Sequence, residues 1–441
     1  MKSKVQYRHL YMEKKLFFIS LIYITLMFSL CFVSSFVVGD TTKTVGNEVE
    51  LVNAVNNAVE PTNIEFNNDI KLTQTLTISA NKNITLTSNS EKGFFKLIGT
   101  YNASTITVND GGILTLNGII VTHNADNMGR GVTVNSGGKL VLSDGEISGN
   151  NATMGGGVYV SYGTFNMVGG TITNNVASTG VQIDSSHVTT QHAGSLHNAG
   201  GNGPNTATGT GGGVYVGYDG SFSMLGGIIT SNVVDLDGGG VYVDAAASFS
   251  MSGNGIVTNN NATRHGGGVY ANVGSFKIAG NARVTNNTTT HRGGGVHMNF
   301  GSFSMSGGMI NKNSAGTGGG VYMSLGSLSI MTGGEISGNT ARGVMEVSGG
   351  GGVCNEGNFA IYGGVITNNT ANNYGGGVYN NKDFELFGEG EVYDNTAQKG
   401  NNVYNYNNLE SYIVPIISIV LVISITGGLS VVYYKKRIAK K

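Results

Sequence analysis

Cysteine, proline, tryptophan and charged residues are all scarce in this sequence. Its 441 residues include two cysteines, three prolines and no tryptophan, and only 12% of them are charged. Cys31 lies in an N-terminal apolar segment, so Cys354 has no partner for an internal disulfide, and packing and hydrogen bonds must hold the fold. The net charge of −1 lacks the basic surplus on which binding to a phosphate backbone depends. We therefore predict no nucleic-acid partner.

Both ends of the chain carry long apolar segments. Residues 1–39 combine basic residues with an apolar run and small residues at Val37 and Gly39, which predicts a signal peptide or an uncleaved signal anchor. After a linker at 406–412, residues 413–434 are apolar and long enough for a transmembrane helix. The basic tail at 435–441 is expected in the cytoplasm. These segments predict a single-pass type I protein of the plasma membrane or cell surface, with its repeats outside.

Glycine is abundant, with 72 residues, and it belongs to an internal repeat. The motif Gly-Gly-Gly-Val-Tyr recurs at intervals of mostly 25 to 28 residues. Its valines, with weaker copies included, are Val132, Val158, Val181, Val214, Val241, Val269, Val296, Val321, Val353, Val378 and Val403.

One repeat contains three short alternating segments, Val158–Val160, Thr164–Met167 and Thr171–Thr173. Alternation with period two predicts strands, and glycine and asparagine favour the turns between them. Three strands in about 25 residues are typical of one coil of a parallel β-helix and fit a leucine-rich repeat or a propeller blade poorly. We therefore predict an all-β fold: a right-handed, single-stranded parallel β-helix over 126–405, with about thirteen coils in the whole chain.

The repeat predicts which side chains face the interior, with each strand contributing columns of like residues that stack from coil to coil. The first strand contributes the motif valines. The second contributes Phe165/Met167, Phe222/Met224, Phe249/Met251, Phe276/Ile278, Phe303/Met305, Leu328/Ile330, Phe359/Ile361 and Phe384/Leu386. The third contributes Ile147, Ile172, Ile229, Val257, Val284, Ile310, Ile336, Ile366 and Val392. A stacked asparagine ladder is predicted from Asn150, Asn174, Asn232, Asn259, Asn286, Asn339, Asn368 and Asn395.

Residues 40–125 precede the regular repeats and are expected to hold a capping helix and irregular first coils. The helix is predicted over 47–60, with Val49, Val52, Val55 and Val59 on one face. By covering the first coil, it would keep the sheet edges from pairing with another chain.

The pattern GG[GA][VI]Y followed by GGxIxxN covers about 45–405 and carries a family resemblance. The chain resembles right-handed parallel β-helix surface proteins of the pectin-lyase-like class. It is similar to the repeats of polymorphic outer membrane proteins and to adhesin-like proteins, although the FxxN half of the former pattern is not reproduced cleanly. The resemblance implies an adhesion or surface-coat function.

A tyrosine follows the valine in most coils and is predicted to point outward as one exposed column. Exposed rings could bind sugar faces or a partner protein, whereas the alternative is a self-stacking column that stiffens the solenoid. The column consists of Tyr159, Tyr215, Tyr242, Tyr270, Tyr322, Tyr379 and Tyr404, with His297 and Cys354 as substitutes.

The turn before the glycines carries Asp237, His265 and Arg292 in three successive coils. Stacked coils would bring them together as a candidate acid–base or carbohydrate-contact site. The alternative, which we favour, is a solvated cluster of mutually compensating charges.

Other candidate sites carry weaker signals. Glycosylation sequons stand at Asn83, Asn102, Asn151, Asn261, Asn286, Asn287 and Asn368. His187, His192 and His197 lie in a loop insertion with spacing that is weak evidence for a metal. We predict no metal and no cofactor.

Three functions remain open at this stage. We favour a cell-surface, adhesin-like protein that presents a repetitive face to an extracellular protein or glycan, and not an enzyme. A polysaccharide-cleaving lyase or hydrolase is the first alternative, although acidic residues are sparse and scattered in the repeats. A purely structural spacer is the second.

Overall fold

The structure, a computed structural model, describes residues 42–88, 93–178, 209–344 and 348–406. These residues form a parallel β-solenoid with three sheets, which confirms the predicted β-helical repeat with three strands per coil. The predicted signal segment, most of the linker, the transmembrane segment and the basic tail lie outside the described residues. Within the described residues, no helix is long and apolar enough to span a membrane.

The first sheet is built from the Val-Tyr motif and contains twelve strands in the described residues, one fewer than the thirteen coils expected. Val158 pairs directly with Val214, and Val214 with Val241, so the predicted copy at Val181, which lies outside the described residues, does not form a strand between the first two. Its strands are Leu76–Ile78, Ile106–Val108, Val132–Val134, Val158–Val160, Val214–Val216, Val241–Val243, Val269–Asn272, Val296–Asn299, Val321–Met323, Val353–Asn355, Val378–Asn380 and Val403–Asn405.

The second sheet contains both the second and the third segments predicted in each repeat. In several coils the two segments form one long strand. Its strands are Lys43–Val45, Thr62–Phe66, Ile70–Leu72, Asn83–Ser88, Lys96–Gly99, Ile113–His123, Lys139–Ser148, Thr164–Met167, Thr171–Thr173, Ser221–Met224, Ile228–Thr230, Ser248–Met251, Ile256–Thr258, Ser275–Ile278, Arg283–Thr285, Ser302–Asn311, Leu328–Ser337, Asn358–Thr367 and Asp383–Tyr393.

The third sheet consists of two-residue strands that sequence patterning did not reveal, because two residues are too short to show alternation. Each strand places one small or β-branched residue inside, such as Ala177 or Val234. The strands are Asn151–Ala152, Val176–Ala177, Val233–Val234, Asn261–Ala262, Thr288–Thr289, Ser314–Ala315, Thr340–Ala341 and Thr370–Ala371.

The predicted interior columns form the core. Phe222 stacks on Phe249 with ring centroids 4.6 Å apart, and Phe249 stacks on Phe276 at 5.2 Å. The column continues to Phe165 on one side and Phe303 on the other. The prediction that these phenylalanines share one interior row is therefore confirmed. Such offset ring stacks add to the stabilisation that apolar burial provides.

Three interior assignments in the second strand are wrong. Leu328 and Ile330 are 55% and 37% exposed, whereas Ser329 and Met331 are fully buried. The register explains this, because Phe303 pairs with Ser329 and a shift of one residue reverses every side chain of a strand. Leu386 is 46% exposed because it belongs to the last described long strand, beyond which no further described coil packs.

A buried asparagine ladder joins the coils, but half of its predicted members are wrong. Asn174, Asn259, Asn286 and Asn368 instead have φ of +53° to +55°, and the asparagine that follows each of them enters the ladder. The left-handed residue turns the chain inward, so one residue cannot serve both purposes. The ladder is Asn150, Asn175, Asn232, Asn260, Asn287, Asn313, Asn339, Asn369 and Asn395.

Each ladder side chain bonds to backbone groups of the preceding coil and to the asparagine side chain of the following one. Asn260 Nδ2 donates to Asn287 Oδ1 at 3.0 Å and to the carbonyl of Ile229 at 3.0 Å. Asn260 Oδ1 accepts from both the backbone N–H and the Nδ2 of Asn232. These hydrogen bonds are shielded from water. A buried donor or acceptor left without a partner there would lower the stability of the fold.

A short helix, α1 (Glu48–Asn56), lies before the first coils and ends sooner than the predicted residue 60. Asn47 accepts from Glu50 N, and the Glu50 carboxylate accepts from Gly46 N, so the helix start is capped in both directions. The buried face is formed by Leu51, Ala54 and Val55. Two predicted members of that face, Val49 and Val59, are instead 68% and 89% exposed, because Val59 lies beyond the helix end and Val49 on its outer side.

The ladder predicts unequal effects for two adjacent asparagines. Asn260→Ala leaves several buried donors and acceptors unpaired and should lower the free energy of unfolding by about 2–5 kcal/mol. Asn259→Ala only places alanine at a left-handed position and should cost about 1 kcal/mol. Chemical denaturation of both variants measures the difference, and equal losses would contradict the ladder.

Candidate functional site

The tyrosine column of the first sheet is buried, so the prediction of an exposed row is wrong. Tyr215, Tyr242 and Tyr270 are 7–9% exposed, and Tyr322 and Tyr379 are at most 1% exposed. Neighbouring rings stack face to face, with centroids 5.0 Å apart between Tyr215 and Tyr242 and 5.1 Å apart between Tyr242 and Tyr270. The structure thus shows the stacked column that was the alternative.

The turn before the glycines covers these rings. Residues Met154, Thr210, Asp237, His265, Arg292 and Thr317 of successive coils form parallel bridges with one another above the tyrosine column. The first glycine of each triplet then passes close to the base of a column side chain: a Cβ on Gly266 would lie 2.7 Å from Tyr270 Cβ. Period-two alternation gives the direction of a side chain, but it does not show that a turn folds back over it.

Two tyrosine hydroxyls donate to carboxylates at the edge of the column. Tyr215 Oη donates to Asp244 Oδ2 at 2.5 Å, and Tyr322 Oη donates to Glu356 Oε2 at 2.6 Å. Burial, followed by the hydrogen bond to Asp244, raises the pKa of Tyr215 far above its ordinary value. Both phenols therefore remain protonated donors and hold the neighbouring acidic side chains in place.

The structure brings Asp237, His265 and Arg292 into one row, as predicted. Asp237 is 2% exposed, and its carboxylate accepts from Nε and Nη2 of Arg264, the former at 3.0 Å. The guanidinium of Arg292 lies over the Tyr322 ring, 4.9 Å from its centroid. Since the acid is bound to Arg264 and Arg292 lies against an aromatic face, the row favours internal compensation over acid–base chemistry.

Two histidines of this cluster are held neutral. The rings of His265 and His297 lie 4.8 Å apart, and the Nδ1 atom of each is buried without a partner among the described residues. Burial, with the nearby Arg292, lowers the pKa of His297 to about 3. Burial, with His297 and Arg264, lowers the pKa of His265 to about 2. At neutral pH both rings therefore pack as uncharged members of the aromatic stack.

A different row of side chains is apolar and exposed. Tyr162, Tyr218, Val273, Phe300 and Leu325 are 52–58% exposed and stand in the turns that join the first sheet to the second. We call these five residues the apolar stripe. Tyr162 and Tyr218 have ring centroids 5.5 Å apart, and a shallow pocket of about 350 Å³ lies beside Val273 and Phe300. Only Ala246 interrupts the sequence of large residues from coil to coil.

The backbone of the apolar stripe is strained. Tyr162, Val273 and Phe300 have φ of +53°, +62° and +58°, a region that β-branched and aromatic residues rarely adopt. Equivalent turns carry Asp219 and Gly326, which tolerate this conformation. Sequence analysis missed the stripe, although large residues before Gly163, Gly274 and Gly301, where turn formers are expected, were a visible signal.

The sequons differ in accessibility. Asn102, Asn286 and Asn368 are exposed, and Asn83, Asn151 and Asn261 are partly exposed. Asn287 is fully buried in the ladder, so its prediction as a glycosylation site is wrong for the folded protein. The insertion with His187, His192 and His197 lies outside the described residues. Among the residues that are described, no group of three or more His, Cys, Asp or Glu could hold a metal.

Comparison with known proteins gives no assignment: no protein-family model, no curated protein and no solved structure matches the chain. Functional inference therefore rests on the geometry of the apolar stripe and of the buried cluster.

The buried histidines predict acid sensitivity. Between pH values of about 6.5 and about 3, His297 is protonated in the unfolded chain but neutral in the folded chain. Stability is thus complete above pH 6.5 and falls as the pH falls, by up to about 1.4 kcal/mol per pH unit for this residue. His297→Tyr, which continues the tyrosine column, should reduce this slope in denaturation curves recorded from pH 7 to pH 4. The exposed His291→Tyr is the control, and identical slopes in both variants would contradict the prediction.

Proposed function

We propose that this protein is a cell-surface, adhesin-like protein whose β-solenoid presents the apolar stripe to an extracellular protein or glycan. The observation that carries the proposal is the combination of exposure and strain at Tyr162, Val273 and Phe300. Left-handed backbone costs about 1–2 kcal/mol at each such residue. More than half of each of these apolar side chains is exposed and returns little of that cost to the isolated fold, so a binding role accounts for their presence.

The repeat gives the apolar stripe its form. From Tyr162 to Leu325, its members stand along one edge of the solenoid in every described coil except that of Ala246. Polar side chains lie beside it, including Ser275, Ser302 and the amide pair in which Asn299 Nδ2 donates to Asn272 Oδ1 at 2.9 Å. An apolar centre with a polar border is the usual composition of a protein or glycan contact surface.

The same proposal includes the membrane topology and the finer class of the fold. We propose that residues 1–39 direct export, that residues 413–434 anchor the chain, and that the tail at 435–441 faces the cytoplasm. We further propose a right-handed winding of the pectin-lyase-like type, with α1 acting as a cap for the first coil. The packing of Leu51, Ala54 and Val55 in the core beside the first strands supports the cap.

Relieving the backbone strain at Val273 and Phe300 should preserve or raise the stability of the fold while it weakens ligand binding. The double variant Val273→Asn with Phe300→Asn places a residue tolerant of left-handed backbone in both turns, so it should unfold at equal or higher free energy, by about 1 kcal/mol per site. Its binding in a glycan array and to cell layers should weaken by about tenfold or more, because two apolar contacts are lost.

The matched control is Ser250→Asn with Ser304→Asn, on outer positions of the second sheet in the two coils on either side of Lys277. It should leave both stability and binding unchanged. A Val273/Phe300 variant that is more stable and binds as well as the wild type would refute the role of the stripe. Cleavage of any polysaccharide during the same screen would favour the enzymatic alternative instead.

Anchoring can be tested by truncation. A chain ending at residue 411 lacks the proposed membrane helix and should appear in the medium rather than in the membrane fraction. The reason is that residues 40–411 contain no apolar span of comparable length. Removal of residues 438–441 alone leaves the helix and should retain the membrane association. Membrane retention of the shorter chain would contradict the proposed anchor.

A further inference from the structure

A groove of about 460 Å³ lies on the outer face of the second sheet, separate from the apolar stripe. Its lining combines charged, hydroxyl, apolar and aromatic groups from several coils. The groups that matter for recognition are Arg283, Met309, Glu335, Thr367 and Tyr393.

Register places these residues side by side. Arg283 pairs with Met309, and Met309 with Glu335, so a cation and an anion flank one apolar side chain. In the neighbouring outward row, Thr367 pairs with Tyr393. Glycine keeps the floor free of side chains: a Cβ on Gly334, where φ is +90°, would lie 2.8 Å from the carbonyl oxygen of Gly308.

In the part of the chain that the structure describes, two polar atoms in or beside the groove are buried without a partner, and its two charged groups are not paired with each other. Thr367 is 6% exposed, and its Oγ1 atom has no hydrogen-bond partner among the described residues. Asn311, in the same outward row, likewise has an Oδ1 atom that is buried without a described partner. Arg283 and Glu335 form no ion pair with each other within the described part of the chain. The accessible guanidinium of Arg283 and the partly exposed carboxylate of Glu335 therefore leave donors and acceptors at the groove for a polar molecule.

We propose that this groove binds a neutral oligosaccharide. Arg283 donates to sugar hydroxyls and Glu335 accepts from them. Met309 and the Tyr393 ring contact the apolar C–H faces of the sugar. One cation and one anion give the groove no net charge, which disfavours an acidic chain. An extended peptide is also disfavoured, because Arg283–Thr285 is paired on both sides and offers no free strand edge.

The experiment titrates the full chain with neutral hexasaccharides of glucose, xylose and mannose, and follows binding by calorimetry. At least one should bind, and Arg283→Ala and Glu335→Gln should each weaken it by about tenfold or more. Lys277→Ala, an exposed cation in the same coil as Arg283 but outside the groove, should leave affinity within about twofold. Tyr393→Ala should weaken binding, whereas Tyr362→Ala, an exposed ring one coil earlier, should not.

Three outcomes would overturn the proposal. The first is that none of the neutral hexasaccharides binds. The second is tighter binding of oligogalacturonate, lost with Arg283→Ala but not with Glu335→Gln, which would identify a simple anion contact. The third is loss of saccharide binding in the Val273→Asn, Phe300→Asn variant with no effect of the groove variants, which would assign the sugar to the apolar stripe. The proposed surface function and the groove can thus fail independently.

Discussion

In-register stacking of identical backbone units is the constraint on which this structure depends. Val214 pairs with Val241, Phe222 with Phe249 and Ile229 with Val257, so each strand of one coil lies opposite its counterpart in the next. Rows of like side chains are a consequence, and their energies follow from what each row contains. Phenylalanine gains ring contacts, while asparagine closes a chain of amide hydrogen bonds that no isolated coil can make.

The same stacking explains why the row of Asp237, His265 and Arg292 stabilises the fold and is poorly suited to be a catalytic centre. Asp237, His265 and Arg292 were brought together by stacking, yet each is satisfied or neutralised by the coil beside it. Arg264 binds the carboxylate, and burial keeps His265 and His297 uncharged. Groups that remain free to act lie elsewhere, in the turns and on the outer face of the second sheet.

Sequence periodicity predicted the solenoid, its repeat length and most of the core, because valine, phenylalanine and isoleucine alternate over enough residues to show a face. It failed where the backbone conformation or register of a single residue determined which side chains face the core. Leu328 and Ile330 looked interior by type, but pairing with Phe303 turned Ser329 inward. Asn259 and Asn260 are the same amino acid, and only their backbone conformation separates the turn from the ladder. Nor could alternation show that a turn covers Tyr242, or that Phe300 is exposed in a left-handed turn.

The hydrogen bonds of the asparagine ladder have a direction, and the ladder tolerates insertions between its members. From Asn150 to Asn369, each Nδ2 donates to the Oδ1 of the next ladder residue toward the C-terminus and also to a carbonyl of the preceding coil, so the amide-to-amide bonds all run in one direction. Asn175 bonds to Asn232 across 57 residues, although the insertion between them lengthens that coil well beyond its neighbours. Material added outside the hydrogen-bonded frame therefore leaves the stacking intact, and removal of one whole coil would rejoin two compatible surfaces. Such a molecule can change its reach in discrete steps during evolution, as a stack of interchangeable modules, without a new fold having to arise.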